Sequence, residues 1–230
     1  MDKIYVWPLL SFIITLFFVS DVALADDIDL SSELSFTNRY QFRGLIQSED
    51  SPAVQGAIDV RWSNDIYLGT WGSWVLEGEQ GDVELNYYLG GLLELNGILW
   101  NAGYIYYDYR DPPGNDFRQE VFLIGYWQNI RASIYQDLDG TPDTYTELYT
   151  RWKGPLKGDI FFSAGQQSFQ ADTFLTYKTY VLGWERLWRD QWSFSLYYTD
   201  TSDLIRNPSN ISATFKWYLQ PGRRNRTWQK

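Results

Sequence analysis

Eight charged residues interrupt otherwise aromatic or aliphatic runs: Arg39, Arg43, Asp59, Arg61, Glu84, Glu147, Arg151 and Lys216. Charges placed this way suit three kinds of chemistry. They can line a water-filled passage and set its selectivity, hold a polar ligand, or cancel one another in a salt-bridge network. Inside a narrow barrel the network is favoured, with Arg39, Asp59, Arg61 and Glu84 pairing across neighbouring strands. Covalent and acid–base chemistry is poorly served. The chain has no His and no Cys, which removes the commonest general base, every Ser-His triad, disulfides and thiolate metal sites. Ser163, Ser193 and Ser195 therefore have no base to activate them. The carboxylate pairs Asp26-Asp27 and Asp137-x-Asp139 lack the spacing of a calcium loop. The expectation is a non-enzyme with no catalytic residue, no cofactor and no metal.

Charge and composition narrow the partners. The formal net charge is −10, which argues against nucleic acid, since phosphates call for an excess of Lys and Arg. An acidic balance fits either plain solubility or a cation-preferring passage. Aromatic residues make up 19% of the chain, with 12 Trp, 18 Tyr and 13 Phe, yet the mean hydropathy is negative. Rings and polar residues must therefore be interleaved.

The elements that would position these charges are strands. Residues 191–200 read Trp192, Phe194, Leu196 and Tyr198 at one parity, with Ser193, Ser195, Tyr197 and Thr199 at the other. Residues 210–219 read Ile211, Ala213, Phe215, Trp217 and Leu219 against Ser212, Thr214, Lys216 and Tyr218. Successive side chains on a strand point to opposite faces, so each segment has one greasy and one wet side. The pattern predicts twelve strands, at about 30–43, 53–63, 66–76, 82–95, 98–109, 118–128, 130–138, 144–153, 158–167, 175–187, 191–200 and 210–219. Both faces of 120–127 are bulky and apolar, which leaves that strand's orientation open. Short connections (at Asn64-Asp65, Asn96-Gly97, Asn129, 153–157 and 188–190) alternate with longer ones (44–52, 77–81, 110–117, 140–143, 168–173 and 201–208). Outer-membrane barrels have this asymmetry between short periplasmic turns and longer external loops.

At the N-terminus, Lys3 precedes an 11-residue apolar run at 9–19 and the small-x-small site Ala23-Leu24-Ala25. A run of that length is too short to cross a core of about 30 Å, so residues 1–25 are expected to be a cleaved export signal. Removing them takes away Asp2, Lys3 and Asp21 and leaves a charge of −9 on residues 26–230. With no apolar helix after residue 25, a membrane could be crossed only by a closed barrel. Tryptophans near strand ends (Trp62, Trp71, Trp74, Trp100, Trp127, Trp152, Trp184, Trp188, Trp192 and Trp217) would supply the two interfacial girdles of such a barrel.

One segment carries a family resemblance. Tyr40-x-Phe42-Arg43-Gly44-x-x-Gln47-Ser48 is followed by Pro52-Ala53-x-Gln55-Gly56-x-x-Asp59 and then by Tyr67-x-Gly69-x-Trp71-x-Ser73. These 34 residues resemble the N-terminal signature of the TorF family of exported proteobacterial porins. The resemblance implies a Gram-negative outer-membrane protein and singles out Phe42, Gly44, Gln47, Ser48, Gln55 and Gly56. Gly44 reads as backbone punctuation, while Arg43 and Gln47 would bind a polar solute or fold the first loop over the pore. Such barrels usually end on an aromatic residue read by the barrel assembly machinery, whereas here a basic tail, 220–230, follows the last strand.

The expectation is thus an all-β protein, a transmembrane antiparallel up-and-down barrel of about 12 strands over residues 26–230, with ten strands also compatible. Its expected partners are outer-membrane lipid, small polar solutes or ions, and the assembly machinery during insertion; its oligomeric state stays open. Two other classes remain: a plugged structural or adhesive outer-membrane barrel, and a soluble periplasmic β-domain that binds a small ligand.

Overall fold

A computed structural model describes residues 28–48, 51–62, 65–76, 83–111, 114–139, 143–169, 176–202 and 209–219. The expected export signal 1–25, the Asp26-Asp27 pair and the basic tail 220–230 lie outside these. Twelve strands form the wall: β1 Ile28–Thr37, β2 Ala53–Trp62, β3 Ile66–Val75, β4 Val83–Leu95, β5 Ile98–Asp111, β6 Gly114–Trp127, β7 Ile130–Asp137, β8 Thr144–Lys153, β9 Asp159–Ser168, β10 Tyr177–Trp188, β11 Trp192–Thr201 and β12 Asn210–Tyr218. Each pairs antiparallel with its neighbours in sequence, and β1 pairs with β12 from Glu33↔Tyr218 to Thr37↔Thr214. The sheet is closed, so no edge is left unpaired.

Turn chemistry fixes one end. Asn96-Gly97 and Arg189-Asp190 have positive φ at both positions, the backbone that twist-matched hairpins require. The opposite end carries the longer connections, with one exception. β5 and β6 pair out to Asp111↔Gly114, so the long loop expected at 110–117 is instead an extended hairpin.

Polarity across the wall is the reverse of a water-soluble barrel. Leu148, Leu182 and Ile211, at outward parity, are 55%, 54% and 60% exposed, while Ser212, Thr199 and Asn101, at inward parity, are 0%, 0% and 1% exposed. On β6 the ambiguity resolves: Glu120, Phe122 and Ile124 are buried, and Val121, Leu123 and Trp127 are exposed. Trp62, Trp100, Trp127, Trp152, Trp188, Trp192 and Trp217 all stand at outward parity within three residues of the short-turn end, with Trp192 and Trp217 stacked at 4.9 Å. The expected pair of tryptophan girdles is therefore one girdle. Trp74 lies toward the other end, and Trp71 turns inward, where its ring lies 5.4 Å from Tyr40.

Candidate functional site

The first strand is shorter than its alternation suggests. β1 ends at Thr37, whose hydroxyl donates to the Arg39 carbonyl at 2.9 Å, and Asn38 Oδ1 accepts from the Ala213 N–H at 2.7 Å. The chain then leaves the wall. Gln41 pairs with Ile46 and Phe42 with Leu45 around a turn at Arg43 (φ 50°) and Gly44 (φ 82°). This small hairpin, residues 40–48, folds into the lumen. On the expected strand 30–43, alternation puts Tyr40 and Phe42 on the greasy face with Leu34 and Phe36; instead they are inside, and Arg39 and Arg43 line the lumen from this loop rather than from β1. The sequence could not distinguish the two arrangements by parity, because Arg39, Gln41 and Arg43 alternate with rings either way. The Arg-Gly turn was the signal for the break.

The residues that carry the family resemblance build this hairpin and its seat. Tyr40 N–H donates to Ser48 Oγ at 2.9 Å, and Gln47 N–H donates to the Tyr40 carbonyl at 2.9 Å. Tyr40, Ala53 and Val75 form a buried cluster joined by Phe42 and Trp71. Gln55 bridges Ser35 and Ser73 at 3.5 Å on each side. Gly56 lies opposite Leu34 and Gly72 in the wall. Gly44 must be glycine for a second reason besides its φ: a Cβ there would sit 2.6 Å from Thr179 Cγ2 on β10.

From this seat the hairpin reaches the walls on all sides. Tyr40 OH donates to Glu84 on β4 at 2.8 Å. Gln41 Nε2 donates to Ser212 on β12 at 2.6 Å, and also to Asn210. Arg43 crosses to β6, where its Nη1 and Nη2 meet Glu120 Oε1 and Oε2 at 2.7 and 2.6 Å. Its guanidinium lies 4.9 Å from the Tyr135 ring centre and 4.6 Å from that of Tyr145. Burial opposes the Arg43 charge, but the hydrogen bonds and field of Glu120 outweigh it, so its pKa lies above the ordinary arginine value.

Beneath the hairpin a cavity of about 750 Å³ is lined by four acids (Glu33, Asp59, Glu147 and Glu185) and five bases (Arg39, Arg43, Arg131, Arg151 and Lys216). A second cavity of about 580 Å³ shares Arg131, Arg151 and Glu185 with it and continues to Gly158 at the short-turn end. The charges are engaged in pairs. Arg131 meets Glu147; Arg151 binds Asp159 at 2.9 Å and Glu185 at 2.8 Å; Lys216 binds Glu33 at 2.8 Å. Tyrosines Tyr67, Tyr88, Tyr107, Tyr135, Tyr145, Tyr197 and Tyr218 share the wall.

Six of the eight charged candidates (Arg39, Arg43, Asp59, Glu147, Arg151 and Lys216) thus line one cavity. Glu84 lies beside it, accepting from Tyr40 and from Asn86 Nδ2 at 2.8 Å. Arg61 instead meets Asp65 across the short turn. The expected network of Arg39, Asp59, Arg61 and Glu84 is corrected: Asp59 accepts from Tyr88 OH at 2.6 Å, and Arg39 stands beyond the end of β1. Sequence reading singled out none of Glu120, Arg131 and Glu185, and Glu33 only by its place on the polar face of the first strand. Strand parity could have found Arg131, whereas Glu120 sat on the one strand whose two faces looked alike.

A model of a bacterial family described as being of unknown function, Gcw_chp, matches residues 23–212. No curated protein matches the sequence. Among solved structures, the KdgM porin superposes with a TM-score of 0.55 at 9% identity, covering 81% of this chain and 98% of that one. The KdgM porin in complex with disordered oligogalacturonate superposes at 0.53 with 7% identity, covering 82% and 98%. At such identities the likeness is one of fold.

Proposed function

The chain belongs to the bacterial Gcw_chp family, and from that premise we propose that it is an outer-membrane porin, passing small polar solutes or ions through a lumen constricted by the 40–48 hairpin. The observation that carries this reading is the inverted polarity. An exposed apolar belt surrounds a closed wall whose interior holds buried serines, threonines and paired charges. In water such a belt would be an aggregation surface; in a bilayer it is covered, and the backbone needs no partner outside the sheet. The lumen supports passage because its charges stand on both sides of a polar cavity that runs from beneath the hairpin to the short-turn end. The finer assignment to the TorF porin family rests on the 40–73 signature. Residues 1–25 are read as a cleaved signal, so the mature protein begins at Asp26, checked by the intact mass of the secreted chain.

A second reading has one observation in its favour. The hairpin touches walls from β3 round to β12, which suits a barrel plugged for a structural role. Planar-bilayer recording separates the two. A porin gives discrete conductance steps and a heat-modifiable band on denaturing gels. A heat-modifiable barrel that never conducts, even when the hairpin is released by substitution, removes transport and leaves the plug. Release by osmotic shock without detergent would remove both.

A further inference from the structure

Arg43 is held by wall residues that do not belong to its hairpin. Glu120 on β6 offers two oxygens in a fork, at 2.7 and 2.6 Å. Tyr107 OH on β5 donates to Glu120 Oε2 at 2.8 Å and so orients the carboxylate independently of Arg43. Tyr135 on β7 and Tyr145 on β8, their rings 6.2 Å apart, face the guanidinium, and Gln167 Oε1 on β9 accepts from Nη1 at 3.5 Å. A carboxylate fork flanked by aromatic faces is a recognition geometry for a planar cation: two parallel N–H···O bonds fix the plane, and the ring quadrupoles attract the charge. Five successive wall strands, β5 to β9, contribute it, so it persists when the hairpin leaves.

We infer that Glu120, Tyr135, Tyr145 and Gln167 form a receptor for guanidinium-bearing solutes, which Arg43 occupies as a tethered stand-in that the solute displaces. The inference deepens the pore reading, on which the consequence of displacement rests, but the binding itself needs no conductance. A tethered group competes at a millimolar or higher effective concentration, so a free solute binds the wild-type barrel weakly and an emptied receptor more tightly. An ammonium group would use the fork at a single point and bind less well. An anion would be repelled by Glu120.

The test titrates methylguanidinium, with urea as its neutral planar counterpart, into the purified full chain in detergent micelles and reads binding by calorimetry. Arg43→Ala is expected to bind methylguanidinium at least tenfold more tightly than wild type. The double variant Arg43→Ala/Glu120→Gln is expected to fall to the level of urea. Gly44→Ala supplies the same test with both charges in place: its Cβ would press on Thr179 and loosen the hairpin, so its affinity should lie between wild type and Arg43→Ala. Equal affinity in folded wild type, Arg43→Ala and Gly44→Ala, or urea binding as well as methylguanidinium, overturns the receptor. Conductance without such binding sinks the receptor alone, whereas binding without conductance sinks the pore and leaves the receptor.

Discussion

Glu120→Gln should open the barrel, and the structure sets the size of the effect. Arg43 and Glu120 side chains are 8% and 6% exposed, so the pair is in the buried regime. Removing one partner there costs about 3–5 kcal/mol, because the other charge stays desolvated without compensation. The barrel has an escape: the hairpin can leave its seat and return Arg43 to water. The contacts of Tyr40 and Gln41 with Trp71, Glu84 and Ser212 are untouched by the substitution, so nearly all of the cost falls on the docking equilibrium. At about 1.4 kcal/mol per factor of ten, the docked-to-released ratio falls by roughly 100- to 4,000-fold. In single-channel recordings this appears as a rise in the open fraction, or in mean conductance if exchange is fast. The double variant Arg43→Gln/Glu120→Gln puts two neutral amides of similar shape at the contact and should restore most of the closed population. An unchanged Glu120→Gln barrel would refute the hairpin as a charge-held constriction. A double variant as open as the single would show that packing, not charge, holds it.

Three further outcomes test the wall. Leu148→Arg places a charge on the outward face at mid-strand and should cost about 2–4 kcal/mol in a bilayer, read by urea unfolding from lipid vesicles; no loss would mean that face meets water. Gly103→Ala drives a Cβ to 2.3 Å from the Leu89 carbonyl oxygen and 2.5 Å from Phe122. It should destabilise by about 1–3 kcal/mol, lowering the temperature of the gel-mobility shift. Arg61→Ala, which loses a contact to a half-exposed Asp65, should change stability by less than about 1 kcal/mol, and a larger loss in the same unfolding assay would restore Arg61 to the interior network.

The wall was legible in the sequence because lipid and lumen impose opposite demands on alternate residues. That rule located all twelve strands, and Asn96-Gly97 fixed a turn. The rule fails where the chain leaves the wall yet keeps alternating. Residues 39–43 continue the pattern of β1, but Tyr40 and Phe42 bury their rings against Trp71 and Tyr107 inside the barrel. Apolar burial rewards a ring equally in lipid and in a packed lumen, so periodicity cannot separate the two. Glu120 escaped for a related reason: its strand carries Phe122 and Ile124 inward, under the hairpin, and Val121 and Leu123 outward. Inside, Phe122 packs against the Tyr135 ring at 5.8 Å, so the inward apolar side chains of this strand are covered by lumen aromatics rather than by lipid.

Net charge misleads in the same way, since it averages over surfaces that a solute never meets together. The acidic total fitted either plain solubility or a passage that prefers cations, and the cavity wall carries four acids and five bases. The excess acid lies outside this cavity. The lumen's paired charges present little net field to whatever has entered. The contact of Arg43 with Glu120, desolvated inside the barrel, should respond only weakly to salt, because buried pairs are screened far less than exposed ones. A docked-to-released ratio that fell with added salt as steeply as an exposed ion pair does would contradict that burial.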